Sequence, residues 1–216
     1  MLTQLRFFFN PKSKELFNAA TCGDLKNTLK WIHSGAKLNL LHHGHSILTR
    51  VARSPHCSAD VVRALLENGA DVTLGLNPLI IAGHSSLDEI IILLIDYGAK
   101  INDTSPATPG KTPLQELISW ADFKTVKYII EHGADVNMPA LNNWTYASHL
   151  AAALGRVDIL ELLFVNGADF TLKNNFGHNT LEVARLSLKA EKENHAPSLY
   201  THKESVDYLQ NLKVFE

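Results

Sequence analysis

Apolar residues recur along this chain at the spacing of one helix face, in segments that each end just before a glycine. The clearest stripes are Val61, Val62, Leu65 and Leu66; Ile90, Ile91, Leu94 and Ile95; Val126, Ile129 and Ile130; and Ile159, Leu160, Leu163 and Phe164. Positions three and four residues apart lie on the same side of an α-helix. This spacing therefore predicts four amphipathic helices, each of which buries one face.

A five-residue pattern follows these helices and occurs five times: glycine, alanine, aspartate or lysine, an apolar residue, and asparagine or threonine. Its glycines lie 34, 29, 35 and 34 residues apart. A nearly fixed period of this size is typical of a repeat protein whose units stack side by side. We refer to the five segments as pentads; they are residues 35–39, 69–73, 98–102, 133–137 and 167–171.

Each repeat is also predicted to contain a shorter helix that precedes the amphipathic one, so the shorter helix is the first of the repeat and the amphipathic helix is the second. Leu16–Ala20 and Leu150–Ala153 are examples, and their small residues would allow two helices to approach closely. The pentad glycine is expected to end the longer helix, because glycine adopts the left-handed backbone conformation without a steric penalty. The sequence thus predicts pairs of helices separated by short extended fingers.

These features resemble the ankyrin-repeat family, in which each unit is a helix, a tight turn, a second helix and an extended finger. The family's helix start, Thr-Pro-Leu, is complete at Thr112–Leu114 and partial at Asn77–Leu79. Asn174–Ala184 fits a finger and the helix start that follows it, while residues 19–23 and 151–155 fit the end of the first helix and its turn. The resemblance covers about residues 11 to 213, and it implies an all-α ankyrin-repeat solenoid with β-finger loops.

The resemblance implies one domain, residues 1–216, with about six repeats of which the first and last act as caps. The expected repeats are about 11–40, 41–73, 74–102, 103–137, 138–171 and 172–216. We predict one continuous solenoid, because the apolar stripes follow one another without interruption. In the irregular sixth repeat the first helix is expected to continue through the charged residues 189–193. A break at Ala196–Ser198 and a last helix over about 206–212 are then expected.

The balance of basic and acidic residues argues against two classes of partner, nucleic acids and membranes. The 216 residues include 20 basic and 22 acidic side chains, a formal net charge of −2, without a long run of either sign. This balance argues against nucleic acid binding through a basic stripe and against a polybasic membrane anchor. The longest apolar run, residues 90–95, is far shorter than the roughly 18–20 residues of a membrane helix. We therefore expect neither a nucleic acid nor a membrane partner.

The small number of cysteines favours a reducing compartment. Two cysteines, Cys22 and Cys57, are too few for a disulfide scaffold. Residues 1–9 lack the apolar stretch and the cleavage site of a signal peptide. We expect free thiols in a cytoplasmic protein, or in the cytoplasm of a host cell if the protein is secreted into it. A redox pair between the two cysteines is the alternative.

No catalytic motif is present. The chain lacks a glycine-rich phosphate loop, a nucleophile elbow and a His-Glu-x-x-His zinc motif. We therefore predict a protein that is not an enzyme and that holds no cofactor and no metal. Three imidazoles, at His42, His43 and His45, could bind a transition metal, but we favour a polar finger tip that faces a partner. His149 aligns near a family histidine that bonds neighbouring fingers, which implies a structural role.

The resemblance implies that the finger tips and the inner face of the first helices bind the partner. These positions are His42, His43, His45, Arg53, Leu76, His84, Lys111, Trp120, Asn142, Trp144, Asn175, Phe176 and His178. Aromatic side chains dominate hot spots because they bury a large area at low entropic cost. We expect Trp144 and Phe176 to lie within about 10 Å of each other on adjacent fingers, with Trp120 nearby. The alternative is that these rings pack on neighbouring fingers.

Together, these observations predict a non-catalytic module that binds a partner protein through a concave groove and the finger tips. We expect the chain to be a monomer on its own. The alternative is a regulatory or inhibitory subunit, or a secreted bacterial effector, that occupies or relocates an enzyme. The resemblance also makes Asn137 a candidate for asparaginyl hydroxylation; we favour the alternative that Asn137 hydrogen-bonds its own turn.

Overall fold

The computed structural model describes residues 10–85, 87–104, 110–141, 145–194, 202–212 and 214. These residues form twelve α-helices and no β-strand, which confirms the predicted all-α class. The helices are α1 (Pro11–Thr21), α2 (Leu25–His33), α3 (Ile47–Ala52), α4 (Ala59–Glu67), α5 (Pro78–His84), α6 (Asp88–Asp96), α7 (Pro113–Trp120), α8 (Phe123–Glu131), α9 (Ala147–Ala153), α10 (Val157–Val165), α11 (Thr180–Asn194) and α12 (His202–Asn211).

The helices belong to two compact units, residues 1–100 and 101–216. In the first unit α1, α3 and α5 pack side by side in one row, and α2, α4 and α6 form a second row. Each odd-numbered helix also contacts the even-numbered helix that follows it. These three helix pairs correspond to the first three predicted repeats.

The second unit has the same arrangement. Helices α7, α9 and α11 form one row and α8, α10 and α12 the other. Helix α11 continues through the charged stretch 189–193, as predicted, whereas α12 begins at His202, earlier than predicted. The predicted break at Ala196–Ser198 lies outside the described residues, and the single continuous solenoid stays a prediction.

The predicted apolar stripes form the core of each unit. Val61 and Leu65 of α4 are fully buried, as are Ile159 and Leu163 of α10. Full burial of such a side chain stabilises the fold by about 1.5–3 kcal/mol. All five pentad glycines have positive φ, for example 88° at Gly69, which confirms that they end the second helices in the left-handed conformation.

Asparagines at the last pentad position join consecutive repeats within each unit. The side chain of Asn39 donates to the carbonyl oxygen of Gly69 at 2.9 Å and accepts the N–H of Asp71 at 2.7 Å. Asn102 and Asn137 make the same two bonds to the pentad that follows them, at 2.8 to 3.0 Å. Each such side chain satisfies one donor and one acceptor of the neighbouring backbone.

The side chain of Asn137 does not bond its own turn, which corrects that expectation. It contacts Gly167 and Asp169 of the next repeat, and only its backbone N–H stays local, where it donates to Asp135 Oδ1 at 2.9 Å. An aspartate already fills the local role, because its carboxylate accepts the N–H two residues on. The asparagine amide is therefore available to reach the neighbouring pentad.

The fifth repeat has Thr145-Tyr146-Ala147 where the family has Thr-Pro-Leu, a departure that favours a late start of its first helix. The helix begins one residue later than that alignment implies. Helix α9 begins at Ala147, so Tyr146 is the residue that precedes the helix, as Thr112 does in α7. The N–H of Tyr146 donates to His149 Nδ1 at 3.3 Å, which repeats the bond from Thr112 to the side chain of Gln115. Trp144 therefore takes the sequence position of the turn glycine, two residues before the helix cap.

Candidate protein-binding surface

The second finger ends in a two-residue hairpin. The N–H of His42 donates to the carbonyl oxygen of His45 at 2.9 Å, and the N–H of His45 donates back at 3.1 Å. Between them, His43 and Gly44 both have positive φ, 52° and 79°. Tight hairpins require this conformation at both central positions, and for a non-glycine residue it costs about 1–2 kcal/mol. Among the described residues, His43 is the one non-glycine residue with positive φ, and it is exposed at the tip.

A cleft of about 470 Å³ lies beside this hairpin, within the first unit. Its lining is entirely polar in residue type and contains no acidic side chain: Thr21, His43, His45, Arg50, Arg53 and Ser54. Arg50 lies in the last turn of α3, and Arg53 follows that helix directly. Side chains three residues apart share one helix face, so both guanidinium groups reach the same cleft.

Hydrogen bonds fix the walls of the cleft. Ser54 Oγ donates to the carbonyl oxygen of Thr21, which ties the end of α3 to the end of α1. Arg50 Nη1 lies 3.4 Å from His42 Nδ1. His45 Nδ1 is buried and has no hydrogen-bond partner in the described part of the chain. The cleft thus combines two cationic side chains with an imidazole nitrogen that no neighbour satisfies.

The surroundings of His42 and His45 disfavour protonation. Burial lowers the pKa of both imidazoles below the usual 6.5, and nearby positive charge lowers each pKa further. The charges that act on His45 are those of Arg53, Arg50 and His43, in that order. Those that act on His42 are His43, Arg50 and His45. Both imidazoles are therefore held neutral near pH 7 while the cleft is empty.

Lys111, Glu116 and Trp120 lie together in the fourth repeat. Trp120 Nε1 donates to Glu116 Oε1 at 3.1 Å, and Lys111 Nζ is 3.6 Å from Glu116 Oε2. Glu116 is only 1% exposed, whereas Trp120, at the end of α7, is 56% exposed. The buried carboxylate thus orients two predicted partner-binding side chains. Sequence reasoning missed Glu116, although its position four residues before Trp120 on a predicted helix was a usable signal.

The sixth finger presents Phe176 to solvent. Asn174 Oδ1 accepts the N–H groups of Phe176 and His178 at 3.0 and 3.1 Å, which closes the turn. The Phe176 ring lies 6.5 Å from the His178 ring, centre to centre, and is 74% exposed. Asn175, beside it, is also exposed. The structure therefore brings three predicted residues to one finger tip.

Among the four remaining predicted residues, only Leu76 has a side chain that the structure describes. Leu76 is half-buried in the third finger. His84 ends α5, but its side chain lies outside the described residues, as do Asn142 and Trp144. The expected distance of about 10 Å between Trp144 and Phe176 consequently stays a prediction.

His149 has the structural role that the resemblance implied. It is buried, and its Nε2 lies 3.1 Å from the carbonyl oxygen of Leu172 in the next finger. Because Nδ1 accepts the N–H of Tyr146, the proton of the neutral ring is on Nε2, which donates to Leu172. Burial lowers the pKa of His149, although the bond to Leu172 acts in the opposite direction.

Neither cysteine nor metal chemistry is apparent in the described residues. Cys22 and Cys57 are free, and burial raises the pKa of the Cys57 thiol to about 11, which keeps it protonated and unreactive. Within the described ranges, no three histidine, cysteine, aspartate or glutamate side chains form a metal-binding group. None of the described helices is both long and apolar enough to cross a membrane.

Comparison with known proteins establishes the family. A sequence model of the family described as "Ankyrin repeats (3 copies)" matches residues 16–105 and 103–174, most of the chain. The chain belongs to the ankyrin-repeat family. Ankyrin repeats are protein-interaction modules.

Several ankyrin-repeat relatives are similar in sequence. The mouse B-cell lymphoma 3 protein homolog is 29% identical over 137 residues, which make up 62% of this chain and 30% of that protein. The fowlpox virus ankyrin repeat protein FPV031 is 30% identical over 127 residues, 56% of this chain and 37% of that protein. This chain thus spans about a third of the length of these two relatives.

Solved ankyrin-repeat structures share the fold. The ankyrin repeat domain of human ASB11 matches with a TM-score of 0.66 at 26% identity, over 78% of this chain and 75% of that one. A chain in the complex of the Bdellovibrio bacteriovorus endopeptidase Bd0816 with the immunity protein Bd3460 matches with a TM-score of 0.72 at 24% identity. That match covers 82% of this chain and 94% of the other.

Proposed function

We propose that this ankyrin-repeat protein binds a partner protein through its finger tips and the exposed face of its first helices, and that it catalyses no reaction itself. The exposure of Phe176 carries the proposal. The Phe176 ring is 74% exposed on a finger tip, so it buries little apolar surface within the fold. Contact with a partner would remove this ring from water, and that burial would stabilise the complex.

The surroundings of the two aromatic residues suit a hot spot. Trp120 is held by its bond to Glu116 and offers its ring to solvent, so binding would immobilise few additional torsions. Lys111 and His178 supply polar groups near the two rings. Aromatic anchors surrounded by polar side chains are typical of the residues that dominate binding energy. Asn142 and Trp144 belong to the proposed surface by their sequence positions.

Affinity capture with three baits tests this function. Wild-type protein, the double variant Trp120→Ala/Phe176→Ala and the control Val165→Ala are incubated with extract, and the retained proteins are identified by mass spectrometry. Val165 is 77% exposed at the end of α10, so its truncation removes an exposed apolar side chain that is not part of the proposed surface. We expect a protein that wild type and control retain and the double variant loses. Equal retention by all three baits would contradict the proposed surface.

The second candidate is a regulatory or inhibitory subunit. A chain of similar fold occurs in the complex of the endopeptidase Bd0816 with the immunity protein Bd3460, which supports this candidate. We infer that an enzyme bound by the finger surface could be inhibited by simple occlusion of its active site. An activity assay on the captured partner separates the two candidates, because a scaffold leaves the turnover number unchanged. Measured delivery into host cells would favour a secreted effector over a resident cytoplasmic protein.

A further inference from the structure

The cleft of the second repeat has a chemistry of its own. Its lining contains two arginines and two histidines and no carboxylate. Arg53 is exposed and makes no ion pair with an acidic residue in the described ranges. In the same unit, by contrast, Arg63 lies 3.8 Å from Glu89 on the next helix. A cluster of positive charge without internal compensation is where a bound anion would gain most.

From this juxtaposition of Arg50 in α3 and Arg53 at its end with His43 and His45 on the second finger, we propose that the cleft binds an anionic side chain of a partner protein. A carboxylate or a phosphoryl group would satisfy the same donors. The inference rests on the proposed function, since it names the partner chemistry that one part of the finger surface recognises.

The geometry of the donors supports this assignment. Each guanidinium group presents a fork of N–H donors that matches two oxygens of a carboxylate or phosphoryl group. Arg50 is steadied by His42 Nδ1 at 3.4 Å, while the floor is fixed by the bond from Ser54 to Thr21. The side chain of Arg50 is thus partly preorganised, which reduces the entropic cost of binding.

The two histidines of the lining add to the case for an anion. His45 lines the cleft together with both arginines, so its imidazole would add positive charge to the site when it is protonated. His43 is held in the left-handed conformation at the edge of the cleft, where glycine would be unstrained. Strain of this kind persists at ligand clamps because the side chain is needed there.

Binding should strengthen as the pH falls below 6.5, the usual value for an imidazole. The positive charges that face His42 and His45 are Arg50, Arg53 and the neighbouring imidazoles, and together with burial they keep the pKa of both groups below 6.5. An anion offsets these charges and raises the pKa values, so protonation and anion binding favour each other. Mild acid is therefore the condition in which the test is most sensitive.

The test uses three labelled hexapeptides and the full chain at low salt and pH 6.5. One peptide is hexaglutamate, one carries a single phosphoserine among uncharged residues, and one is hexaglutamine. Fluorescence anisotropy should show saturable binding of at least one anionic peptide and none of hexaglutamine. Tighter binding of hexaglutamate assigns a carboxylate, and tighter binding of the phosphopeptide assigns a phosphoryl group.

Arg53→Gln is the informative variant, and Arg63→Gln is its matched control. Arg53 is exposed, so its replacement should leave the melting temperature unchanged. The affinity for the anionic peptide should fall about tenfold. Arg63→Gln removes the same charge from the same unit and should weaken binding less than twofold if the cleft is the site. Equal loss in both variants, or no binding of either anionic peptide at about 1 mM, would overturn the inference.

The peptide experiment and the capture experiment can fail separately, so their outcomes distinguish the cleft inference from the proposed function. If neither anionic peptide binds but the captured partner still depends on Trp120 and Phe176, the cleft inference fails and the proposed function stands. If the peptides bind in the Arg53-dependent manner but the partner ignores both aromatic residues, the cleft inference stands and the aromatic surface is wrong.

Discussion

Arg156 lies in the turn between α9 and α10, where its buried guanidinium group joins two repeats. Its Nη1 donates to the carbonyl oxygens of Ile118 and Ala121 at 3.2 and 3.0 Å, at the end of α7. Its Nη2 pairs with Asp158 at 3.1 Å. The side chain thus satisfies helix-end carbonyl groups that would otherwise be buried without a donor.

Arg156→Ala should therefore lower the free energy of unfolding by about 3 kcal/mol, because two buried acceptors lose a charged donor. The control is Arg185→Ala, which removes an exposed arginine from α11 and should change stability by less than about 0.5 kcal/mol. Urea unfolding followed by circular dichroism measures both. Equal stability of the two variants would mean that Arg156 does not connect the repeats as described.

His149 should make stability depend on pH. Burial lowers its pKa in the folded state, so the folded protein binds the proton less readily than the unfolded chain. The contribution of His149 is then complete above pH 6.5, the unfolded value, and is lost as the pH falls through the lowered folded pKa. His42 and His45 contribute with the same sign.

Replacement of His149 by glutamine isolates this effect. Gln115 occupies the equivalent position in α7 and bonds the next finger through its amide, at Met138 and Thr145. We expect His149→Gln to fold and to lose less stability than wild type between pH 7 and pH 5, as measured by urea unfolding at each pH. Parallel curves for the two proteins would show that His149 is not the titrating group.

At the scale of single elements, the second helices set the stability of their repeats. Leu163 of α10 is 0% exposed, on the predicted apolar stripe. Leu163→Ala should lower the free energy of unfolding by about 2–5 kcal/mol, the usual cost of emptying a packed leucine site. Val165→Ala, on the exposed side of the same helix, should cost less than about 0.5 kcal/mol. A loss below about 1 kcal/mol for Leu163→Ala would mean that the helix is misplaced.

Periodicity predicted the helices better than it predicted where they begin. The stripe around Leu163 and the pentad glycines required only local pattern, because burial selects apolar residues and helix ends select glycine. The departure from Thr-Pro-Leu in the fifth repeat favoured a late start of α9, but the residue that precedes the helix could not be identified, since Tyr146 is not a residue type that caps helices. The tertiary bond from its N–H to His149 overrides that preference.

The sequence predicted which residues lie on the candidate surface, but it did not predict the contacts that their side chains make. The resemblance placed Trp120, Phe176 and the second finger on the binding surface. It could not show that Glu116 is buried beneath Trp120, or that Arg50 turns toward the histidines, because both depend on side-chain packing between a helix and a finger. The cationic cleft therefore emerges only from the folded structure.

For the whole molecule, the repeats predict one continuous solenoid. In a linear array each repeat is stabilised by its neighbours, so a protease should find cleavage sites in fingers and termini before it separates folded halves. Limited proteolysis followed by intact mass measurement tests this. Early cleavage near Ala196–Ser198 agrees with the prediction, whereas a stable boundary near residue 100 would contradict it.

Partner binding through exposed aromatic residues is measured most directly as a dissociation constant. The purified partner is titrated into wild type and into Trp120→Ala/Phe176→Ala by calorimetry, and the melting temperature of each protein is recorded in the same buffer. We predict an affinity loss of about 30-fold or more per folded molecule, since truncation of one hot-spot residue alone costs about 2 kcal/mol. The melting temperature should fall only by the amount that the lost bond from Trp120 to Glu116 contributes, which the single variant Trp120→Ala measures. A lower melting temperature with unchanged affinity per folded molecule would show that the rings brace the fingers, and would contradict the proposed binding surface.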